Sequence, residues 1–236
     1  DPFAPGIWQG TDDMVTMSTC AGTHVDALSH VSYDGFLYNG VPTSVVTAQA
    51  GAEKLGAEKL PDIVTRGVLL DLPHVKGVAG LDELDAGYAI TGDDLDEAAD
   101  AAGVTIEPGD VVLVRTGEMR HHRAGDRRRY AVGVDYQLPG LSVRSIEWMR
   151  RHDVAGAFTD TYAYEAFPPS MPDWSDTLAV HMIQLRDMGL LQGQNWDLED
   201  LSVACAEAQR WAFLLVAAPE PIVGATSAPV APVATL

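Results

Sequence analysis

The sequence predicts an α/β fold with a mixed β-sheet core and flanking helices, and three observations predict it. Residues 67–72 and 110–115 are short runs of branched apolar residues bounded by Gly or Pro, which suits strands buried on both faces. Between them lies a segment of helical period that stops at a glycine. The order strand, helix, strand then recurs beyond Ser142, and such alternation is the mark of α/β layering.

Each element has its own local reason. Thr91 can cap the first long helix, Asp93 and Asp94 favour its first turn, Leu95, Ala98, Ala99 and Ala102 form one apolar face, and Gly103 ends it. Ser142 opens a second helix through Ile146, Trp148 and Met149, and residues 154–158 supply the strand that follows. A further helix is expected over about 175–188, and Asp197 caps another through Leu198, Leu201 and Ala204. Residues 211–216 read as a strand. The tail over 219–236 mixes small apolar residues with Pro, so it is expected as an edge strand or a wrapping arm and not as a central strand. No internal repeat interrupts this order, and residues 1–236 read as one domain with a sizeable core. The first residues lack a starting Met and any targeting pattern, which leaves a longer native chain as an expectation.

Composition excludes several function classes. A formal net charge of −19 is poorly matched to nucleic acid, whose phosphates need clustered Lys and Arg. The basic run over 120–129 reads as a solvated loop, with a clamp for an anionic substrate as the alternative. Cys20 and Cys205 lie too far apart in sequence to suggest a disulfide framework, so a reducing compartment, the cytoplasm, is expected. No apolar run approaches the ~20 residues a bilayer span requires, and no membrane partner is expected. Gly-x-Gly-x-x-Gly, the P-loop pattern and the Gly-x-Ser-x-Gly elbow are all missing, which removes sequence support for nucleotide binding and serine hydrolysis.

The chemistry concentrates in residues 20–30. Cys20, His24, Asp26 and His30 are all residue types that can ligate a borderline-soft metal. In an extended segment His24 and Asp26 share a face, and Cys20 is in phase with them. Gly22 would let backbone approach a ligand closely. Taken singly, each of these residues has a bland reading as a cap, a core thiol or a hydrogen-bonded imidazole. Together they point to function, because a buried carboxylate and two imidazoles are costly unless paired or metal-bound.

This run resembles the metal-binding signature His-x-Gly-Thr-His-x-Asp-x-Pro-x-His of the cyclase family, which includes bacterial kynurenine formamidases and isatin hydrolases. Residues 26–35 with Tyr38-Asn39-Gly40 resemble the longer branch of that family, as do 66–71, 87–91, 109–117, 139–142 and 159–161, and later His181 with 185–190 and 196–199. The resemblance implies the family's swivelling β/β/α-like fold. It also implies a metal held at the first two His positions and the Asp, an acid–base residue at the last His, and a later His and Glu at a second metal position. By motif position these are Cys20, His24 and Asp26 for the first metal, His30 for acid–base work beside Asp26, His181 for the later ligand, and Gln194 where the family has Glu.

Both departures have consequences. Cys20 can still bind zinc as a thiolate, whereas Gln194 removes a charge that would bridge two cations. One divalent metal, zinc or manganese, is therefore expected without a second, and a metal-free site stays open. Leu28 in place of the signature Pro changes only local stiffness.

The resemblance implies hydrolysis of an amide, formamide or cyclic amide of an aromatic compound, with metal-activated water and His30 as acid and base. The alternative is a cyclase or dehydratase of polyketide-like natural products in which His30 and Asp26 transfer protons, with or without metal. A non-catalytic family member is a third reading. Trp8, Phe36, Tyr38 and Trp196 are candidates for an aromatic pocket or for ordinary core. Asp160 and Thr161, just past a strand, are candidates for substrate binding or a turn cap. A small-molecule substrate and a homodimer or homotetramer complete the expectation.

Overall fold

In the computed structural model, residues 10–78, 81–168 and 178–236 are described. The apolar runs become the centre of an eight-stranded mixed sheet. Strand β4 (Ile63–Asp71) pairs in parallel with β6 (Val111–Arg115), β6 with β8 (Gly156–Thr159), and β8 with β9 (Leu191–Gln194). Antiparallel strands flank this core. On one side β9 pairs with β1 (His24–Asp26), and β1 with β11 (Ser227–Pro229). On the other, β4 pairs with β10 (Ala212–Ala217), and β10 with β12 (Val233–Thr235). Two short ribbons stand apart, β2 (Val46–Thr47) with β3 (Gly51–Ala52), and β5 (Ala89–Ile90) with β7 (Gly140–Leu141).

The tail therefore supplies both edges. Only Val230, Ala231 and Pro232 separate β11 from β12, a stretch that reaches about 14 Å at most. The edges of a flat sheet of this size would lie roughly 33 Å apart. The sheet must curl until its two edges approach.

Alternation assigns the two faces. Leu69, Leu113, Phe158, Phe213 and Trp196 meet on one. Val68, Leu70, Val112, Val114 and Ala157 lie on the other, beneath Leu95, Trp148 and Met149 of the helices. In β10, by contrast, Leu214 and Val216 are exposed while Phe213 and Leu215 are buried, because no described residues cover its outer face.

Short helices link the strands: α1 (Leu72–Lys76), α2 (Gly92–Ala102), α3 (Met119–Arg123), α4 (Arg127–Val132), α5 (Ile146–His152), α6 (Ala179–His181) and α7 (Glu199–Ala208). The α2 caps are as the sequence predicts. Thr91 and Asp94 form a reciprocal capping box, and Gly103 closes the helix in the left-handed conformation. Ser142 caps a 3-10 turn (Val143–Ser145) that leads into α5. Asp197 Oδ1 accepts from the Glu199 backbone N–H at the start of α7, 3.4 Å away.

Three expectations need correction. Strand β8 begins at Gly156 because the N–H of Val154 still closes on the carbonyl of Met149. The helix expected over 175–188 is, from Ala179 onward, a short α turn that widens into a π-helix (Met182–Met188), and residues 175–177 lie outside the described residues. The basic run is not a loop. It forms α3 and α4, with Asp126 capping α4, Arg123 held by Asp197 and Asp200, and Arg129 by Glu118. These ion pairs, two of them to the distant Asp197 and Asp200, offset the repulsion that suggested an unstructured stretch. Among the described residues no helix is long and apolar enough to cross a membrane.

Candidate active site

The β1–β9 register builds the site. His24 lies opposite Gln194 and Asp26 opposite Gln192, so the four side chains share one face. Val25 between them turns to the opposite face and packs in the core. After β1 the chain turns, with the His30 N–H on the Ala27 carbonyl at 2.8 Å, and this turn folds His30 back over Asp26. His181 enters from α6, and Cys20 from the turn before β1.

Asp26 is the hub. It is fully buried. Its Oδ2 accepts from Gln194 Nε2 at 2.8 Å and Gln192 Nε2 at 3.2 Å. Its Oδ1 has no hydrogen-bond partner among the described residues, and faces His24 Nε2 at 3.5 Å and His30 Nε2 at 3.8 Å. Cys20, Asp26 and His30 each place one potential ligand atom within 4.8 Å of the others. The structure thus brings together Cys20, His24, Asp26, His30, His181 and Gln194.

Further contacts orient this set. The Gly22 carbonyl holds His24 Nδ1 at 2.8 Å and leaves Nε2 toward Asp26. Glu165 holds His181 Nδ1 at 2.6 Å and also accepts from the N–H groups of Val180 and His181. That fixes the proton on Nδ1, so His181 Nε2 accepts from the Gln194 amide at 3.3 Å. Cys20 Sγ lies 3.0 Å from Ser227 Oγ on β11.

The electrostatics follow the geometry. Burial pushes the Cys20 thiol up, but hydrogen bonds with His24 and Ser227 outweigh it and leave the thiol below its ordinary value. For His24, burial is outweighed by the Cys20 contact and the Asp26 charge, which raise it. Burial dominates at His30; despite Asp26 it holds the imidazole below its ordinary range, with His181 and His24 adding to the effect.

A divalent cation fits this donor set. A buried carboxylate oxygen without a donor is costly, and the groups facing it are a thiol inclined to ionise and two imidazoles, the ligands a borderline-soft cation takes. Cys20, His24 and Asp26 are the residues placed to hold it, with His30 beside them. As placed, Gln194 turns its amide N–H group, not its carbonyl, toward Asp26 and His181.

The proposed substrate contacts are placed differently. Trp196 is buried, donates to the His24 carbonyl at 3.1 Å and stacks on Phe158, so it backs β1 from the opposite face. Asp160 accepts from Thr116 Oγ1 and from the N–H groups of Thr116 and Gly117, and Thr161 Oγ1 accepts from the Tyr164 N–H; both tie loops together. Phe36 is exposed and Tyr38 lies against Gly189. Trp8 lies outside the described residues. Gln192, Glu165 and Ser227 were missed. Gln192 carried a signal, since a strand residue two before Gln194 shares its face. Glu165 and Ser227 carried none.

Residues 2–166 match the family described as "Putative cyclase". A crystal structure described as a novel cyclase is 33% identical over 100% of this chain and 75% of its own, with a TM-score of 0.86. An isatin hydrolase bound to the product analogue thioisatinate is 20% identical over 93% of this chain and 72% of its own, with a TM-score of 0.64. A potential metal-dependent hydrolase with cyclase activity is 19% identical over 92% of this chain and 78% of its own, with a TM-score of 0.53. The likeness to these last two is one of fold. Among curated proteins no sequence matches this chain.

Proposed function

This chain belongs to the cyclase family, and from that premise we propose that it is a metal-dependent hydrolase that opens an amide, formamide or cyclic amide bond of an aromatic compound. The observation that carries the reading is the unpartnered, buried Asp26 Oδ1 surrounded by Cys20, His24 and His30. A divalent cation bound there supplies Lewis-acid polarisation of a carbonyl and acidifies water. The Cys20 sulfur favours zinc over manganese.

The chain's own residues do the rest. Gln192 and Gln194 grip Asp26 Oδ2 and aim Oδ1 at the centre. His30, kept neutral by burial, is a base at neutral pH; it takes a proton from water and returns it to the leaving nitrogen. Glu165 keeps His181 in one tautomer. The amide of Gln194 supplies donors where a second cation would bring charge, which supports a one-metal centre.

A second reading rests on the same His30–Asp26 pair: proton transfer at an enolisable carbon, as a cyclase or dehydratase requires, which needs no cation. Metal analysis of protein purified without chelator, with hydrolysis of N-formyl, anilide and cyclic-amide substrates, tests the first reading. Near-stoichiometric zinc or manganese and hydrolysis lost on chelation are expected. Fewer than about 0.1 equivalents of metal, unrecoverable by titration, would sink the hydrolytic mechanism.

The free thiols of Cys20 and Cys205 suit a reducing compartment such as the cytoplasm. Leu214, Val216 and Val233 are exposed near one another on β10 and β12, with Val216 opposite Val233, and this apolar face supports self-association into a dimer or tetramer around a small-molecule enzyme.

A further inference from the structure

A separate cavity of about 380 Å³ opens at the carboxyl ends of the parallel strands. The segments after β6, β8 and β9 contribute Met119, Tyr162 and Asn195 to it, and α4 contributes Arg127 and Tyr130. In α/β sheets this end is where ligands bind, and the volume falls in the usual range for small-molecule sites, roughly 300–1,000 Å³.

The cavity is not the metal centre. None of Cys20, His24, Asp26, His30, His181 and Gln194 lines it; Thr23, just before β1, and Asn195, just after β9 in the left-handed conformation, do. Its floor is rigid. Tyr130 donates to Asn195 Oδ1 at 2.6 Å, and Asn195 Nδ2 donates to the carbonyls of Cys20 and Gly22, each at 3.2 Å. A Cβ built on Gly22 would meet nothing within 4 Å, so bare backbone borders open space there.

The walls specify chemistry. Tyr130, Tyr162 and His122 offer ring surfaces, with His122 edge-on to Tyr130 at 5.3 Å between centroids. Arg127 forms no ion pair among the described residues, whereas Arg129 holds Glu118, and Arg123 clasps both oxygens of Asp197, the one acidic lining residue. The exposed Arg127 guanidinium at the rim, beside these aromatic faces, suits a planar carboxylate.

We propose that this cavity is a second small-molecule site that binds an aromatic monocarboxylate, with the ring between Tyr130 and Tyr162 and the carboxylate on Arg127. The basic run of the sequence then serves as an anion clamp at this site.

Benzoate, with acetate and benzamide as controls, titrated into the full chain by calorimetry tests the proposal. Saturable benzoate binding is expected, persisting in chelator-treated protein, weakened about tenfold by Arg127→Ala, the equivalent of ~1.4 kcal/mol, and abolished by Ala131→Trp, which fills the cavity. Acetate and benzamide, lacking ring or charge, should bind at least tenfold more weakly, by the same reasoning as for a lost charge-assisted contact. Three outcomes would overturn it: no saturable binding, binding that disappears on chelation but ignores Arg127→Ala, or equal binding of benzoate and benzamide.

Discussion

Gln194 Nε2 lies 2.8 Å from Asp26 Oδ2 and 3.3 Å from His181 Nε2, so a neutral amide bridges a buried carboxylate and a buried imidazole. The antiparallel register of β1 and β9 brings this about, since it sets His24 opposite Gln194 and points both toward Asp26. One oxygen of Asp26 is thereby satisfied by amide donors. The other is left for a cation.

Replacing Gln194 with Glu reverses that balance. Two buried carboxylates at this distance repel unless a cation joins them. The metal-free Gln194→Glu protein should melt at lower temperature than the parent, and its metal content, read by elemental analysis, should rise above that of the parent. Unchanged occupancy would place position 194 outside the metal's reach.

Asp26→Asn and His30→Ala separate holding a metal from moving a proton. Asp26→Asn removes the charge at the hub and should empty the centre. His30→Ala should slow turnover by about 10²–10⁴, the usual contribution of an acid–base group, with metal content nearly unchanged. Because His30 lies within 4.8 Å of the Cys20 and Asp26 ligand atoms, loss of metal in His30→Ala would reassign it as a ligand.

Glu165 acts through His181, whose Nδ1 it holds at 2.6 Å. Groups that fix a ligand's tautomer typically govern metal affinity by 10–100-fold. Glu165→Gln, which keeps an acceptor for the α6 N–H groups, should weaken metal binding within that range if His181 reaches the metal. Competition with a chromophoric chelator measures this. An unchanged affinity, with only activity reduced, would confine His181 to substrate positioning.

What the sequence showed, and what it hid, divides by range. Residues 67–71 and 111–115 were legible because strands covered on both faces are apolar throughout, and α2 because Thr91 and Asp94 cap it locally. His24 and Asp26 share a face for the reason a period of two requires. The return of Ser227 to Cys20 and of Glu165 to His181 was invisible, since each contact joins segments that no local period or cap relates. Trp196 looked like a pocket aromatic but fills the core, because its indole N–H finds the β1 carbonyl of His24 there.

Glu118 gives the fold a pH dependence. It is fully buried, and burial pushes its carboxyl up to about 7 from an ordinary 4.5, Arg129 only partly opposing this. The folded value lies above the unfolded one, so the folded protein binds the proton more tightly. Stability from this group is fully present below about 4.5 and is lost as pH rises through about 7, by on the order of 3 kcal/mol. Melting temperatures of Glu118→Gln relative to the parent should therefore improve between pH 5 and pH 8, both set by this window. A difference that stays flat across the window would mean that Glu118 remains ionised in the fold.

Gly193 is where fold and site meet most tightly. A Cβ there would lie 2.3 Å from the His24 carbonyl oxygen and 2.8 Å from Trp196 Nε1. Both atoms belong to the hydrogen bond that backs β1, and neither is the free end of a flexible chain. Gly193→Ala must push β1 away from β9, at a cost of about 1–3 kcal/mol for overpacking, and must disturb His24 against Gln194 in the same movement. Gly22→Ala is the matched comparison: its Cβ meets nothing within 4 Å, so its stability should stay within about 0.5 kcal/mol of the parent. Denaturant melts paired with metal titration distinguish the two. Full metal affinity in a destabilised Gly193→Ala would show that the centre tolerates separation of the strands that carry it.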